Sequence, residues 1–238
     1  MTEFKYVGSE LDLFADVRNW KSYWSGQVRP FLKGNVLEVG AGIGSNTEFL
    51  DTGSPGRWVC LEPDPQLAAQ LAKKFRETRT LRTYETVCGT LQALAAQEFD
   101  TIIYIDVLEH IQNDREELNR AASYLRQGGH LIVLCPAHQK LFTPFDASIG
   151  HVRRYNRSML LMIAPASLHL ERIRYLDCIG LLASVANLLF LRQSVPSKAQ
   201  LRLWDEWMVP ASRVIDKLLQ YSLGKSIIAV WYKPPFSG

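Results

Sequence analysis

Several residues in this chain have types and spacings that could do chemistry. Gly40, Gly42 and Gly44 form a GxGxG run directly after the apolar residues Val36, Leu37 and Val39. Alternate glycines remove side chains where backbone must pass close to a bound molecule, and they permit turn dihedrals that other residues resist. About 20 residues further on, Glu62 ends the next apolar run, where a carboxylate can accept both hydroxyl hydrogens of a ribose. Glu38 adds a second acceptor in the first run. The pattern marks a crevice able to hold a nucleotide. Asp106, Glu109 and His110 spell D-x-x-E-H. A histidine with a pKa of about 6.5 can accept a proton from a hydroxyl or an amine, and carboxylate and imidazole donors suit magnesium, manganese or zinc. The same three residues are also compatible with a plain capped loop. The segment DASIGHVRRYN, Asp146 to Asn156, offers His151 as a second base, and Arg153 or Arg154 could pair bidentately with a carboxylate or phosphate. An internal ion pair from Asp146 to one of these arginines is the structural alternative.

These residues need elements to position them. Leu11 to Leu32 reads as a helix with Trp20, Tyr23, Trp24, Val28 and Phe31 on one side, a stripe suited to packing. A strand delivers the glycine turn, and a short helix is expected at Ser45 to Leu50. Arg57 to Leu61 is a second strand. Asp64 can cap the next helix, Pro65 fits its first turn, and Leu67, Leu71 and Phe75 form its buried face. Leu81 to Val87 is a weaker third strand and Phe99 to Ile105 a clear fourth, with Asp106 at its end. Asn113 and Glu116 have capping-box spacing for a helix carrying Leu118, Ala121, Ala122 and Leu125, stopped by Gly128 and Gly129. His130 to Cys135 returns as a strand. Such alternation predicts right-handed crossovers and a mainly parallel sheet. Leu141 to Tyr155 reads as a loop, Ser158 to Ala164 as a short helix, and Leu168 to Tyr175 as a strand. Leu181 to Leu191 and Ala199 to Tyr221 are helical stretches broken by Pro196 and Pro210, and Ile227 to Tyr232 closes as a strand.

The chain has 238 residues, 47% of them hydrophobic and 21% charged, which suits one substantial globular domain with insertions and excludes disorder. A net charge of +3 is too small to imply a nucleic-acid surface. Cys60, Cys88, Cys135 and Cys178 lie far apart, as expected of reduced core thiols in a cytoplasmic protein. The first ten residues hold no apolar targeting core. Cys178 to Leu191 falls short of the roughly 20 residues a spanning helix needs, so a buried or surface-lying helix is expected.

The motifs together resemble those of the class I S-adenosylmethionine-dependent methyltransferases. LEVGAGIGSNT resembles their first motif and LEPD, Leu61 to Asp64, their second. YIDVLEHI, Tyr104 to Ile111, resembles the motif after the fourth strand, and GGHLIVLCP, Gly128 to Pro136, the fifth strand. The resemblance covers Val36 to Tyr175. It implies that Glu38 approaches the methionine amino group, that Gly40 and Gly42 line the methionine and ribose with Asn46 nearby, and that Glu62, beside Pro63, takes the ribose diol. Gly89, Thr90 and Leu91 would border the adenine, and Ile105 and Asp106 the floor near the methionine. A nicotinamide nucleotide fits less well, because Ser45 stands where the dinucleotide fingerprint has its third glycine and a sulfonium cofactor carries no phosphate. D-x-x-E-H is similar to the E-x-x-E-H of ubiquinone-pathway O-methyltransferases and small-RNA 2′-O-methyltransferases, where it supports a divalent cation. Asp in place of Glu shortens the reach, so no metal is assigned. DASIGHVRRYN resembles the FDxxxGHxRRY segment of a bacterial small-molecule subgroup found beside carbohydrate and lipid biosynthesis. In that subgroup an N-terminal segment matching Asn19 and Trp20 closes over the cofactor.

The expectation is therefore one doubly wound α/β domain with a seven-stranded, mainly parallel sheet whose last strand is antiparallel. Residues 1–34 would form a helical lid, 136–160 a substrate loop and 179–222 an inserted helical cap. The expected reaction moves a methyl group from S-adenosylmethionine to a hydroxyl of a small or lipid-linked acceptor, leaving S-adenosylhomocysteine. His110 or His151 would take the proton, and Arg153, Arg154 and Tyr155 would hold an anionic part of the acceptor. Methylation of a small-molecule amine, and cofactor binding without turnover, are the alternatives; an RNA acceptor is disfavoured by the small charge. Lys198, Arg202 and Arg213 beside apolar helices allow weak peripheral membrane contact.

Overall fold

A computed structural model describes residues 6, 10–51, 53, 56–77, 82–191 and 196–235. Helices α1 (Glu10–Ala15) and α2 (Arg18–Val28) precede the first strand. Seven strands follow: β1 (Val36–Val39), β2 (Gly56–Glu62), β3 (Arg82–Cys88), β4 (Phe99–Ile105), β5 (Leu125–Pro136), β6 (His169–Leu176) and β7 (Ser226–Tyr232). They form one sheet in the order β3-β2-β1-β4-β5-β7-β6. Only β7 runs against its neighbours β5 and β6, as expected of the last strand.

The central strands are near-continuous apolar runs because helices cover both faces of the sheet. Leu37, Val59, Ile102, Leu131 and Ala229 point into one core, closed by Leu118 of α5 (Asp114–Ser123) and Leu160 of a later helix, Arg157–Ile163. Val36, Trp58, Ile103, Ile132 and Ile228 point into the other, closed by Trp24 and Val28 of α2 and Leu71 of Pro65–Glu77. In chain order the remaining helices are α3 (Thr47–Leu50), α4 (Pro65–Glu77), α6 (Pro144–Ser148), α7 (Arg157–Ile163), α8 (Cys178–Ala186), α9 (Lys198–Leu203) and α10 (Val209–Leu218). β1 lies between β2 and β4, so the strand order reverses there and opens a crevice at the carboxyl ends.

Several local expectations are corrected. The N-terminal helix is two helices, because the Asp205 carboxylate accepts from the amides of Arg18, Asn19 and Trp20 and starts α2 afresh. The helix expected at Ser45 begins at Thr47. Asn113 caps nothing with its side chain. β5 begins at Leu125, not His130, because Gly128 and Gly129 lie within a strand that bulges where it leaves β4. The loop from Leu141 to Tyr155 contains α6, closed by a Thr143–Asp146 capping box. Pro210 does not break its helix; it sits in the first turn of α10, directly after a π-turn at Trp204–Met208. Cys60, Cys135 and Cys178 are buried thiols, whereas Cys88 is exposed. Residues 1–5 and 7–9 of the targeting expectation and the start of the third strand at Leu81 lie outside the described residues.

Candidate active site

The crevice continues into a cavity of about 890 Å³, roofed by α2 and by the insertion between β6 and β7. At its floor the chain leaves β1 through Gly40, whose φ of +67° lies in the left-handed region. A Cβ there would sit 2.6 Å from Val107 Cγ2, so both conformation and space demand glycine. The Gly42 amide donates to Glu62 Oε2 at 2.8 Å, and the Asp64 amide donates to Glu62 Oε1 at 2.9 Å. Each oxygen thereby keeps a second lone pair. Burial raises the Glu62 pKa, which these two amides partly offset. A carboxylate fixed by backbone at the cavity wall suits a ribose diol.

Glu38 does something else. It is buried beneath the turn, accepting from Thr47 Oγ1 at 2.8 Å and Trp58 Nε1 at 2.9 Å, and burial pushes it up to about 7. It anchors α3 and does not line the cavity as it stands. Trp20, Gly40, Gly42, Asn46, Glu62, Pro63, Ile105 and Asp106 do line it. Gly89, Thr90 and Leu91 do not; the Gly89 amide donates to Glu62 O, and Leu91 is packed in the core.

The other end of the cavity is acidic and histidine-rich. Asp106, at φ +54°, ends β4 with its carboxylate facing the open space, and the surrounding protein pushes its pKa up to about 6. Glu109 is fully buried from solvent, and neither of its carboxylate oxygens has a hydrogen-bond partner. Burial, and then the neighbouring Asp106 charge, hold its pKa well above the ordinary value. His151 Nδ1 lies 2.9 Å from Asp146 Oδ1, and its Nε2 lies 3.7 Å from Glu109 Oε1. The Asp146 contact fixes the tautomer with the proton on Nδ1, leaving Nε2 as the acceptor. The ring of His110 meets that of His151 edge-on at 4.6 Å, and burial together with His151 lowers its pKa to about 4.

Arg154 lines this end, but its guanidinium forms a fork on Asp146, Nε and Nη2 each donating at 2.8 Å. Burial would raise Asp146; hydrogen bonds from His151 and Arg154 overcome it and hold the acid well below its usual range. Arg153 lies off the cavity, bonded to Asp114 and to the carbonyls of Ile111 and Gln112. Tyr155 is buried, its hydroxyl 2.8 Å from Asp114. The structure thus brings His110, His151 and Arg154 together and leaves Arg153 and Tyr155 behind the loop they fasten.

Sequence reasoning missed two lysines at the cavity. Lys21 of α2 donates to the Ala15 carbonyl, and burial lowers it to about 8. Lys225, before β7, lies over the Trp204 ring at 4.7 Å, its pKa lowered by burial. Neither has a motif around it, because both reach the cavity from elements distant in sequence. Donor atoms of Glu109, His110 and His151 lie within 4.8 Å of one another, and His151 has the carboxylate behind it that metal-bound histidines favour. These three residues would fit a divalent cation, which there could polarise an acceptor oxygen.

Comparisons with known proteins agree with this geometry. Residues 37–131 match the family described as a methyltransferase domain. A thiol S-methyltransferase of Mus musculus is 28% identical over 130 residues, which are 53% of this chain and 50% of that protein. The chain thus spans about half the length of the curated relative it matches. Among solved structures, phosphoethanolamine N-methyltransferase 2 of Haemonchus contortus superposes with a TM-score of 0.62 at 15% identity, covering 95% of this chain and 56% of that one. An S-adenosylmethionine-dependent methyltransferase of Clostridium acetobutylicum superposes with a TM-score of 0.58 at 12% identity, covering 95% and 96%. With the glycine turn, the Glu62 carboxylate and the strand order already in place, residues 37–131 are similar to a methyltransferase domain and the seven-stranded sheet has the Rossmann-like fold of class I methyltransferases.

Proposed function

We propose that the protein transfers a methyl group from S-adenosylmethionine to an amine of a small or lipid-linked acceptor. The observation that carries this reading is Glu109, a buried carboxylate neither of whose oxygens has a hydrogen-bond partner, at the acceptor end of the cavity beside Asp106. An ammonium would satisfy those oxygens, and its charge would favour the ionised carboxylate that burial alone disfavours. The cofactor, when bound, supplies an already activated methyl group. What remains for this chain is to align the acceptor and receive its proton, for which His151 Nε2 is placed and Asp146 is the positioning residue. His110 stays neutral at neutral pH and so sets no competing cation beside the substrate. The phosphoethanolamine N-methyltransferase with the same fold acts on an amine, which supports this acceptor over the hydroxyl. The hydroxyl reading is kept by one observation, the three donors that fit a cation.

Transfer from labelled cofactor to panels of amines, alcohols and thiols tests the proposal. Amines should be methylated at a rate unaffected by chelators. Replacing His151 by Gln should lower kcat by roughly 100-fold while cofactor affinity holds, and His110→Gln should cost less than about tenfold. Transfer confined to alcohols and dependent on added divalent cation would overturn the amine reading in favour of the hydroxyl one. Cofactor binding without product from any acceptor would leave a binding protein.

A further inference from the structure

Helices α8 and α10 pack against each other in the cap, and each has two distinct sides. On α8, Gly180, Ala183 and Ser184 line the cavity, whereas Leu182, and Leu189 in the π-helical turn Asn187–Leu191 that follows, are 65% and 61% exposed. On α10, Val209, Ser212 and Asp216 are buried, whereas Val214 and Leu218 are 61% and 78% exposed; Trp207, in the turn before, is 71% exposed. Single exposed apolar residues are ordinary, but five large ones on two packed helices and the turns beside them are not.

Two further observations say what covers them. The exposed charges on this layer and on α9 between them are Lys198, Arg202, Arg213 and Lys217, against Glu206, which pairs with Arg202 at 2.7 Å; Arg213 also lies over the Tyr23 ring, and Asp205 and Asp216 are buried as hydrogen-bond acceptors. The apolar face also continues into the cavity, because Leu188 and Leu203 are both exposed and cavity-lining. Among the described residues no helix is long and apolar enough to cross a membrane. We propose that this face docks on the surface of a bilayer carrying anionic lipids, with α8 and α10 lying in the interface and the mouth of the cavity turned toward it. The aliphatic residues enter the acyl boundary, the Trp207 indole sits at headgroup level, and the lysines and arginines meet lipid phosphates. A second copy of the chain is a poorer occupant, because two-fold pairing would set one basic face against another. The inference stands whatever the acceptor atom is.

Flotation of the full chain with phosphatidylcholine vesicles, with and without phosphatidylglycerol, tests it. The protein should float with the anionic vesicles, with a blue shift in tryptophan emission, and should largely fail to float with phosphatidylcholine alone. Leu182→Glu combined with Trp207→Glu and Leu218→Glu should reduce partitioning by at least about tenfold. Lys198→Glu with Lys217→Glu should weaken it by roughly tenfold on anionic vesicles only. Unchanged cofactor affinity, read by calorimetry, would show that these variants remain folded. Absence of wild-type flotation, undiminished flotation of the apolar-face variant, or a wild-type dimer that this variant converts to monomer would overturn the proposal.

Discussion

At the scale of single residues, two buried glutamates twenty-four positions apart have opposite duties. Glu62 keeps free lone pairs at the cavity wall, so Glu62→Gln should raise the cofactor Kd by roughly ten- to 100-fold, measured by calorimetry, because a charge-assisted acceptor becomes a neutral one. Glu38 is held for structure, and its effect is one of pH. Its ordinary value of 4.5 rises to about 7 on folding, so the folded chain binds that proton more tightly than the unfolded chain. The stabilisation from the protonated form is complete below about pH 4.5 and is lost as pH rises through about 7. Thr47 and Trp58 both donate to Oε2, so a glutamine oxygen there can keep both bonds. Thermal melts of Glu38→Gln and wild type should therefore diverge between pH 5 and 8. The variant should gain up to about 3 kcal/mol relative to wild type at the alkaline end.

At the scale of elements, α2 is the part of the roof that carries Trp20 and Lys21 to the cavity, and its first turn is capped from 185 residues away by Asp205. The carboxylate satisfies amides that a helix start leaves without partners. Asp205→Ala should lower stability by about 1–2 kcal/mol and weaken cofactor binding, with hydrogen exchange of the α2 amides rising first. The loop after β5 shows the same economy of means. Asp146 fixes α6, Arg154 and His151 at once, so the loop and the His151 ring are positioned by one side chain.

At the scale of the whole molecule, roof and sheet are joined through two buried aspartates. Asp216 accepts from the Tyr23 hydroxyl of α2 and from the amides of Asp177 and Cys178, while Asp177 accepts from Trp204 Nε1, Ser212 Oγ and the Gly180 amide. This network ties α2, α8, the π-turn and α10 to the end of β6. Asp216→Ala leaves three buried donors unpaired and should cost about 3–5 kcal/mol, read as a fall in Tm. Cofactor affinity should fall with it, since α2 and the cap form the cavity roof together. A variant with lowered Tm but unchanged affinity would show that the roof holds its shape without the network.

The sequence by itself determined the sheet and the glycine turn with its Glu62 carboxylate. Gly40, Gly42 and Glu62 are close in chain order and carry their reasons locally: a left-handed turn, an apolar strand, a carboxylate at a strand end. The alternating strand and helix signals likewise fix a mainly parallel sheet, because each crossover has one favoured hand. Only the tertiary structure decided which charged groups face the cavity. Arg153 and Arg154 are adjacent, yet one is bound to Asp114 outside and the other to Asp146 within. Glu109, embedded in a motif, is distinguished by buried oxygens that have no hydrogen-bond partner, and Lys21 and Lys225 arrive from opposite ends of the chain. Ion pairing and burial are properties of neighbours in space, and no spacing along the chain encodes them.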